Sequence, residues 1–141
     1  MKPSVALTAL TALTLTSVFV RAQGRQSTRD GVYTETQAAR GRASYMTSCA
    51  SCHGEALQGS GAQNPALVGK AFLDNWTGDP LDALFERIQT SMPADHPGTL
   101  VRTVTADIVA YILKSNKLPA GKKDLPTEAD ALKQIQFDAP K

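Results

Sequence analysis

Two cysteines three positions apart, followed directly by a histidine, are the residues of this chain best suited to chemistry. They lie in the run Cys-Ala-Ser-Cys-His at positions 49–53. On a helical turn, residues i and i+3 share a face, so the sulfurs of Cys49 and Cys52 can both bond to one edge of a porphyrin. His53 can then direct its imidazole at the iron as the proximal ligand. This spacing predicts the covalent attachment of one c-type haem.

Other uses of the two cysteines fit the sequence less well. A thioredoxin-like redox pair requires a βαβ context, whereas the residues before Cys49 follow a helical pattern. A structural zinc site needs four ligands, so it would have to use every cysteine and histidine of the chain: Cys49, Cys52, His53 and His96. A disulfide would leave His53 without a role, and closing so short a loop adds little stability.

The N-terminal segment predicts export. Lys2 is followed by an apolar, threonine-rich run over 4–20 and then by Ala22, the small residue that signal peptidases prefer. Residues 1–22 are therefore predicted to be a signal peptide, and the mature chain is expected to begin near Gln23 in the periplasm, the compartment in which bacteria attach thioether-linked haem. The alternative is an uncleaved membrane anchor, although about 17 weakly apolar residues lie at the lower limit for a spanning helix.

Charge and length exclude some classes of function. Without Lys2 and Arg21, the chain has 13 basic residues against 13 acidic ones. No basic stripe or aromatic-interleaved patch is present, so nucleic acid is not an expected partner. About 119 residues would remain after cleavage, a length suited to one domain.

Capping and hydrophobic patterns predict helices. Thr34 with Gln37 resembles a capping box at the start of the first helix, and Asp79 with Pro80 is typical of a helix N-cap and first position. The apolar stripe of that later helix comprises Leu81, Leu84, Phe85 and Ile88. A last helix is predicted over 105–116. Since no useful run of alternating polarity interrupts these patterns, the fold class is predicted to be all-α.

The helical region is flanked by two polar segments. Residues 23–33 are predicted to form a flexible leader, 34–121 the folded domain, and 122–141 a tail packed on that domain. Gly41 is unusual in the middle of the first helix, where glycine costs about 1 kcal/mol relative to alanine. Such a glycine predicts that another backbone crosses the helix closely at this point.

The ligand on the second side of the iron separates electron transfer from gas binding and catalysis. Met46 comes so soon before the attachment run that its side chain cannot readily cross to the other face of the haem. Met92 lies in a loop between two predicted helices, where Pro93 disfavours helical backbone and leaves the methionine free to project inward. A lone methionine is often core filler, but a Ser-Met-Pro loop is a poor place for filler. We therefore expect Met92 to be the second axial ligand, with His96 or an open site as alternatives.

Several of these features together resemble a known family. They are Gly41 and Tyr45 in the first helix, the attachment run, the loop 64–69, Met92 with Pro93, and Tyr111 in the last helix. Over 41–121 the chain resembles a single-domain class I cytochrome c. The resemblance implies the cytochrome c fold, a small helical domain wrapped around one covalently bound haem, in which Gly41 and Tyr45 meet Tyr111 where the first and last helices cross.

The resemblance also implies roles for residues around the haem. The carbonyl of Pro65 would accept a hydrogen bond from His53 and orient it. The side chains expected to pack on the porphyrin are Leu67, Phe72 and Phe85. Trp76 would donate a hydrogen bond to a haem propionate, with an ordinary half-buried core position as the alternative.

A closer likeness, carried by residues 109–121 and the tail at 132–137, is to the small periplasmic cytochromes that accompany bacterial quinoprotein and other dehydrogenases. It implies a monomeric electron carrier, not an enzyme, that moves single electrons between a periplasmic dehydrogenase and an oxidase or another cytochrome. No ring of lysines surrounds 91–100, so a highly acidic partner is not expected. The alternatives are a haem subunit of a dehydrogenase or respiratory complex, membrane-bound if the N-terminal segment is uncleaved, and a haem peroxidase or gas sensor with a labile Met92.

Overall fold

The computed structural model describes residues 24–141, so the predicted signal peptide lies outside the described part of the chain. Two-residue strands β1 and β2 form a small parallel pair, and every other regular element is helical, which confirms the all-α prediction. The elements are β1 (Gln26–Ser27), a 3-10 turn (Thr28–Asp30), α1 (Glu35–Ser48), α2 (Ala50–His53), α3 (Lys70–Trp76), α4 (Leu81–Ser91), α5 (Arg102–Ser115), α6 (Ala129–Leu132) and β2 (Ile135–Gln136). Across 24–141, no helix combines the length and the apolar character needed to cross a membrane.

The first helix begins at the predicted cap but uses only half of the capping box. The Thr34 hydroxyl accepts a hydrogen bond from the backbone N–H of Gln37 at 3.0 Å. The Gln37 side chain does not return that bond. Its amide instead bonds both backbone groups of Leu125, donating to the carbonyl at 3.2 Å and accepting from the N–H at 2.6 Å. The start of α1 is thereby fastened to the C-terminal tail.

Helices α1 and α5 cross in direct backbone contact at Gly41. A Cβ atom at this position would lie 1.7 Å from the carbonyl oxygen of Asp107 in α5, which no side chain can tolerate. One turn further along α1, the rings of Tyr45 and Tyr111 pack with centroids 5.3 Å apart. The Tyr45 hydroxyl donates to the carbonyl of Gly54 at 2.6 Å. The mid-helix glycine therefore marks the close crossing that its position predicts, and the crossing fixes the end of α1.

Helix α4 begins one residue later than predicted. Its N-cap is Pro80, in extended conformation, and no side chain caps the helix, so the prediction of Asp79 as N-cap is wrong. The Asp79 carbonyl instead accepts a hydrogen bond from the N–H of Phe137 at 2.8 Å, which ties the helix start to the tail. The apolar stripe of α4 is fully buried, as its spacing predicts; its members are Leu81, Leu84, Phe85 and Ile88.

The segment before α1 is held in place by the tail. Strand β1 pairs in parallel with β2, and the buried Thr28 hydroxyl exchanges hydrogen bonds with the backbone of Asp138, each at 2.9 Å. Tyr33 is also buried, and its hydroxyl donates to the Leu118 carbonyl at 2.7 Å. The prediction of a flexible leader is therefore wrong for residues 26–33. Their partners lie some hundred residues away, so no local pattern announces the contacts.

The C-terminal tail lies on the helical body. Four of its apolar side chains are buried, namely Leu125, Leu132, Ile135 and Phe137. The Phe137 ring packs edge-on against Phe72 of α3, with centroids 6.1 Å apart. Because edge-to-face aromatic pairs stabilise beyond the area they bury, this contact helps to hold the Phe72 ring in place.

Replacing Gly41 by alanine tests the crossing. In an open helix this change stabilises by about 1 kcal/mol, but here the methyl group collides with backbone that cannot rotate away. We expect Gly41→Ala to lower the free energy of unfolding by about 1–3 kcal/mol, measured by guanidinium unfolding followed by circular dichroism. Ala39→Gly, at an exposed position of α1, is the matched control and should cost about 1 kcal/mol by helix propensity alone. A stabilised Gly41→Ala protein would contradict the crossing.

Candidate functional site

The attachment run lies at a break between two helices. Cys49 ends α1, and the short helix α2 carries the remaining residues of the run. Cys49 is half-buried and Cys52 is exposed, and the two form no disulfide with each other. His53 is buried, with 8% of its surface exposed. The hydrogen bond from Tyr45 to Gly54 links this break to the α1–α5 crossing.

A large cavity opens beside this run. Its volume is about 1230 Å³, more than the roughly 300–1,000 Å³ that suffices for a drug-sized ligand. Cys49, Cys52 and His53 line it together with Met92, so two thiols, an imidazole and a thioether from separate parts of the chain face one space. That donor set fits a haem, whose vinyl groups take two thiols and whose iron takes an imidazole and a thioether.

The imidazole of His53 is oriented by the loop that follows it. Its Nδ1 lies 2.8 Å from the carbonyl oxygen of Pro65, so Nδ1 carries the proton and donates. A histidine that donates through Nδ1 keeps the lone pair of Nε2 for a metal, and such a bond fixes the tautomer and the ring. The loop is folded back on the run by the bond from the Gly59 N–H to the His53 carbonyl at 2.7 Å.

The loop that contains Pro65 is also fastened to α5, by the side chain of Asn116. The sequence pattern identified this residue only as the end of the last helix. The buried Asn116 amide donates to the Leu67 carbonyl at 2.9 Å and to the Ile112 carbonyl at 2.9 Å. Its oxygen accepts from the Gly69 N–H at 3.1 Å. Leu67 lines the cavity, so Asn116 positions one cavity wall relative to α5. An Asn at a helix end is common, and no local signal marks it as a clamp.

The other end of the cavity is formed at the C-terminus of α4. Met92 is the C-cap of this helix, is half-buried, and its N–H donates to the Ile88 carbonyl at 3.0 Å. Met46 is also half-buried but is not among the residues that line the cavity. His96 lies at the rim, with 74% of its side chain exposed and its Nδ1 3.2 Å from the Asp95 carboxylate.

Four of the five residues expected around the porphyrin line the cavity: Pro65, Leu67, Phe72 and Trp76. Phe85 does not, and its predicted place in the haem pocket is wrong. Leu84 and Ile88, one turn apart on α4, face the cavity, and Phe85 lies about 100° round the helix from Leu84 and about 60° from Ile88. Its ring is instead covered by the Arg102 guanidinium, 4.5 Å from the centroid.

Trp76 is half-buried at the cavity and packs on Phe72 with ring centroids 6.4 Å apart. In this structure its partner is aromatic, and the indole N–H is directed to no protein acceptor within the described residues. An indole with an unused donor beside a cavity has a hydrogen bond to give to an occupant. Its expected bond to a propionate remains a prediction.

Burial governs the ionisation of the groups beside the attachment run. Burial, reinforced by the neighbouring Cys52, raises the pKa of the Cys49 thiol to about 11. Reactive Cys-X-X-Cys pairs have a lowered thiol pKa, so Cys49 lacks the thiolate character of a thioredoxin-like nucleophile. Burial also raises the pKa of Tyr45 well above its usual range, which keeps its hydroxyl protonated as the donor to Gly54.

Substitution of Asn116 tests whether its amide holds the cavity wall. Asn116→Ala leaves the Leu67 carbonyl and the Gly69 N–H without their partner, and we expect a loss of about 1–3 kcal/mol in the free energy of unfolding. Chemical denaturation of the haem-bound protein gives this value. Gln134→Ala, which removes an exposed amide, is the control and should change stability by less than about 0.5 kcal/mol. Equal losses in the two variants would contradict the clamp.

Comparison with known proteins agrees with this site. Residues 36–112 match the family model described as cytochrome C oxidase, cbb3-type, subunit III, a match that covers more than half of the 141 residues. No curated protein and no solved structure matches the chain. The matched region contains all but the first residue of α1, the attachment run, both cavity walls and most of α5. The chain therefore belongs to the cbb3-type cytochrome c oxidase subunit III family and is a c-type cytochrome, an electron-transfer protein with covalently bound haem c.

Proposed function

We propose that this chain carries single electrons between a periplasmic dehydrogenase and a respiratory acceptor, with His53 and Met92 as the two axial ligands of one haem. The observation that carries the proposal is that both side chains line the same cavity as the two attachment cysteines. When bound, haem c supplies an iron that changes by one electron between its ferric and ferrous states. Whether that iron can also bind a substrate or a gas depends on which residues of the chain occupy its axial positions.

Filling both axial positions favours electron transfer over catalysis. His53 is held by the Pro65 carbonyl, so its ring orientation is set by the protein. The Met92 thioether is neutral and raises the reduction potential relative to a second histidine. With a ligand from the protein on each side, no position is left for a substrate or a gas. Apolar walls from α4 and α5, including Leu84 and Ile108, exclude water from the interior.

The charge around the cavity bears on the choice of partner. The exposed lining residues near the cysteines are all uncharged: Thr47, Ser51, Ala62, Gln63 and Pro65. The charged lining residues, Arg87 and Asp95, come from α4 and the loop after it. Without a dense patch of one sign, electrostatic steering towards a strongly acidic partner is weak. This distribution supports a redox partner with a largely uncharged docking face.

A second candidate function is suggested by the name of the matched family, which describes a subunit of a cbb3-type oxidase. In that case the chain would be a fixed relay within a respiratory complex. The two functions differ in what the purified protein does. A free carrier elutes as a monomer from the soluble periplasmic fraction, whereas a subunit co-purifies with membranes and with oxidase activity.

The peroxidase or gas-sensor alternative has less support. Such a protein needs a polar residue buried beside the iron, and His96, the candidate from the sequence, has 74% of its side chain exposed. Its nearest charged partner is Asp95, which is equally exposed at 75%. A histidine surrounded by solvent cannot serve as the buried polar group of a distal pocket from which water is excluded. His96 is better suited to the rim of the site.

Substitution of Met92 tests the axial ligand. In the ferric protein, sulfur coordinated to haem iron gives a weak long-wavelength charge-transfer absorption band. We expect Met92→Ala to abolish this band, open a position to added cyanide or imidazole, and lower the reduction potential. Met46→Ala is the matched control, since Met46 is half-buried but does not line the cavity. An unmodified protein with a high-spin ferric spectrum and no such band would overturn the ligation and the carrier function.

The first residue of the protein recovered from cells tests export and cleavage. Lys2, the apolar run 4–20 and Ala22 support a signal peptide cleaved before Gln23. The protein recovered from the periplasmic fraction is expected to begin at Gln23 by intact-mass analysis. Ala22→Asp should retain the precursor, whereas Ala12→Val, which preserves the apolar run, should be processed normally. Haem-loaded protein that begins at Met1 would contradict cleavage and favour a retained anchor.

A further inference from the structure

We propose that Gln89 and Thr105 are positioning residues for Met92: together they lock the methionine loop, residues 92–101, in the place where its first residue reaches the iron. The inference rests on the proposed ligation by Met92 and adds the means by which the protein holds that ligand. Neither residue lines the cavity, so any effect on the iron must act through the loop.

One chain of hydrogen bonds joins α4, the methionine loop and α5. The Gln89 side-chain N–H donates to the Leu100 carbonyl at 2.6 Å, and the Gln89 side-chain oxygen accepts from the Thr105 hydroxyl at 2.9 Å. Thr105 is completely buried, and Gln89 is half-buried. Gln89 lies three residues before Met92 on α4, whereas Leu100 lies at the far end of the loop. The amide therefore closes the loop on the helix that carries the methionine.

The rest of the loop has little else to hold it. Residues 94–99 are all exposed. The hydrogen bonds that they form are local, from the His96 N–H to the Pro93 carbonyl and from the Thr99 hydroxyl to the His96 carbonyl. Within 24–141, the bond from Gln89 to Leu100 is the only hydrogen bond between residues 93–100 and the rest of the protein. Beyond the bond from the Met92 N–H to the Ile88 carbonyl, the loop's position against the body thus depends on Gln89 and on the packing of the half-buried Pro93 and Leu100.

Thr105 decides which way the glutamine amide points. A glutamine side chain can rotate by half a turn and exchange its donor and acceptor. The Thr105 hydroxyl donates to the oxygen, which leaves the nitrogen to face Leu100. Without that hydroxyl, the side-chain oxygen of the half-buried Gln89 loses its partner, and only the bond to the Leu100 carbonyl still holds the amide in this orientation. The loop can then move away, and an iron–thioether bond that depends on the loop weakens.

The test uses haem-bound protein and the stability of the iron–sulfur bond rather than of the fold. Thr105→Val has the same shape without the hydroxyl, and Gln89→Leu removes the amide. Ferric protein is titrated with imidazole, which displaces the methionine, while the charge-transfer band is recorded. One lost hydrogen bond is expected to tighten apparent imidazole binding about five- to tenfold. The band should also disappear on heating well before the helical circular dichroism does.

Matched variants separate this role from a general loss of stability. Thr103→Val makes the same change at an exposed position two residues away on α5 and should leave imidazole binding unchanged. Thr105→Ser keeps the hydroxyl and should restore wild-type behaviour. The double variant Gln89→Leu with Thr105→Val should bind imidazole no more tightly than the single variants do, because both substitutions act on one chain of hydrogen bonds.

The results separate the positioning role of Gln89 and Thr105 from the proposed ligation by Met92. If the unmodified protein lacks the charge-transfer band, the proposed ligation fails and this inference fails with it. If the band is present but Thr105→Val and Gln89→Leu bind imidazole no more tightly than Thr103→Val does, only the positioning role is overturned. Should Thr105→Val fail to fold, Gln89→Leu alone decides, since Gln89 is only half-buried.

Discussion

The contact between the backbones of α1 and α5 at Gly41 is the constraint on which the rest of this structure depends. With no room for a Cβ atom between Gly41 and the Asp107 carbonyl, the two helices can meet at one place and one depth. Arg40, next to the glycine, adds a two-pronged ion pair to the Asp107 carboxylate, both bonds 2.9 Å long. Because α1 ends in Cys49, this crossing decides where the attachment run lies.

Helix α5 then serves as a common reference for both walls of the cavity. Asn116 at its C-terminal end binds the loop that contains Pro65 and Leu67, and Thr105 near its N-terminal end acts on the methionine loop through Gln89. Eleven residues of helix separate the two, about 16 Å of rigid backbone. A single stiff element therefore fixes the spacing between the His53 side and the Met92 side, which two independently mobile loops would not maintain.

Local patterns predicted the parts of this site that local chemistry determines. The attachment run, the glycine at the crossing, the cap at Thr34 and the buried stripe of α4 each depend on spacings within one element. Phe85 was placed on the porphyrin by the family resemblance, and neither that resemblance nor the apolar stripe shows which of two buried surfaces its ring faces. The roles of Gln37, Gln89 and Asn116 were missed for another reason. A side-chain amide that bonds a distant backbone has no periodicity, and its partner is known only once the chain has folded.

The ends of the chain complete the site from outside the family match. Residues 24–33 and 122–141 lie beyond the matched region 36–112, yet they bind each other through β1 and β2 and through Thr28. The tail then supports Phe72, which lines the cavity, with the ring of Phe137. The segments that distinguish this chain from the matched core therefore act on its redox site, as the rear support of the cavity wall.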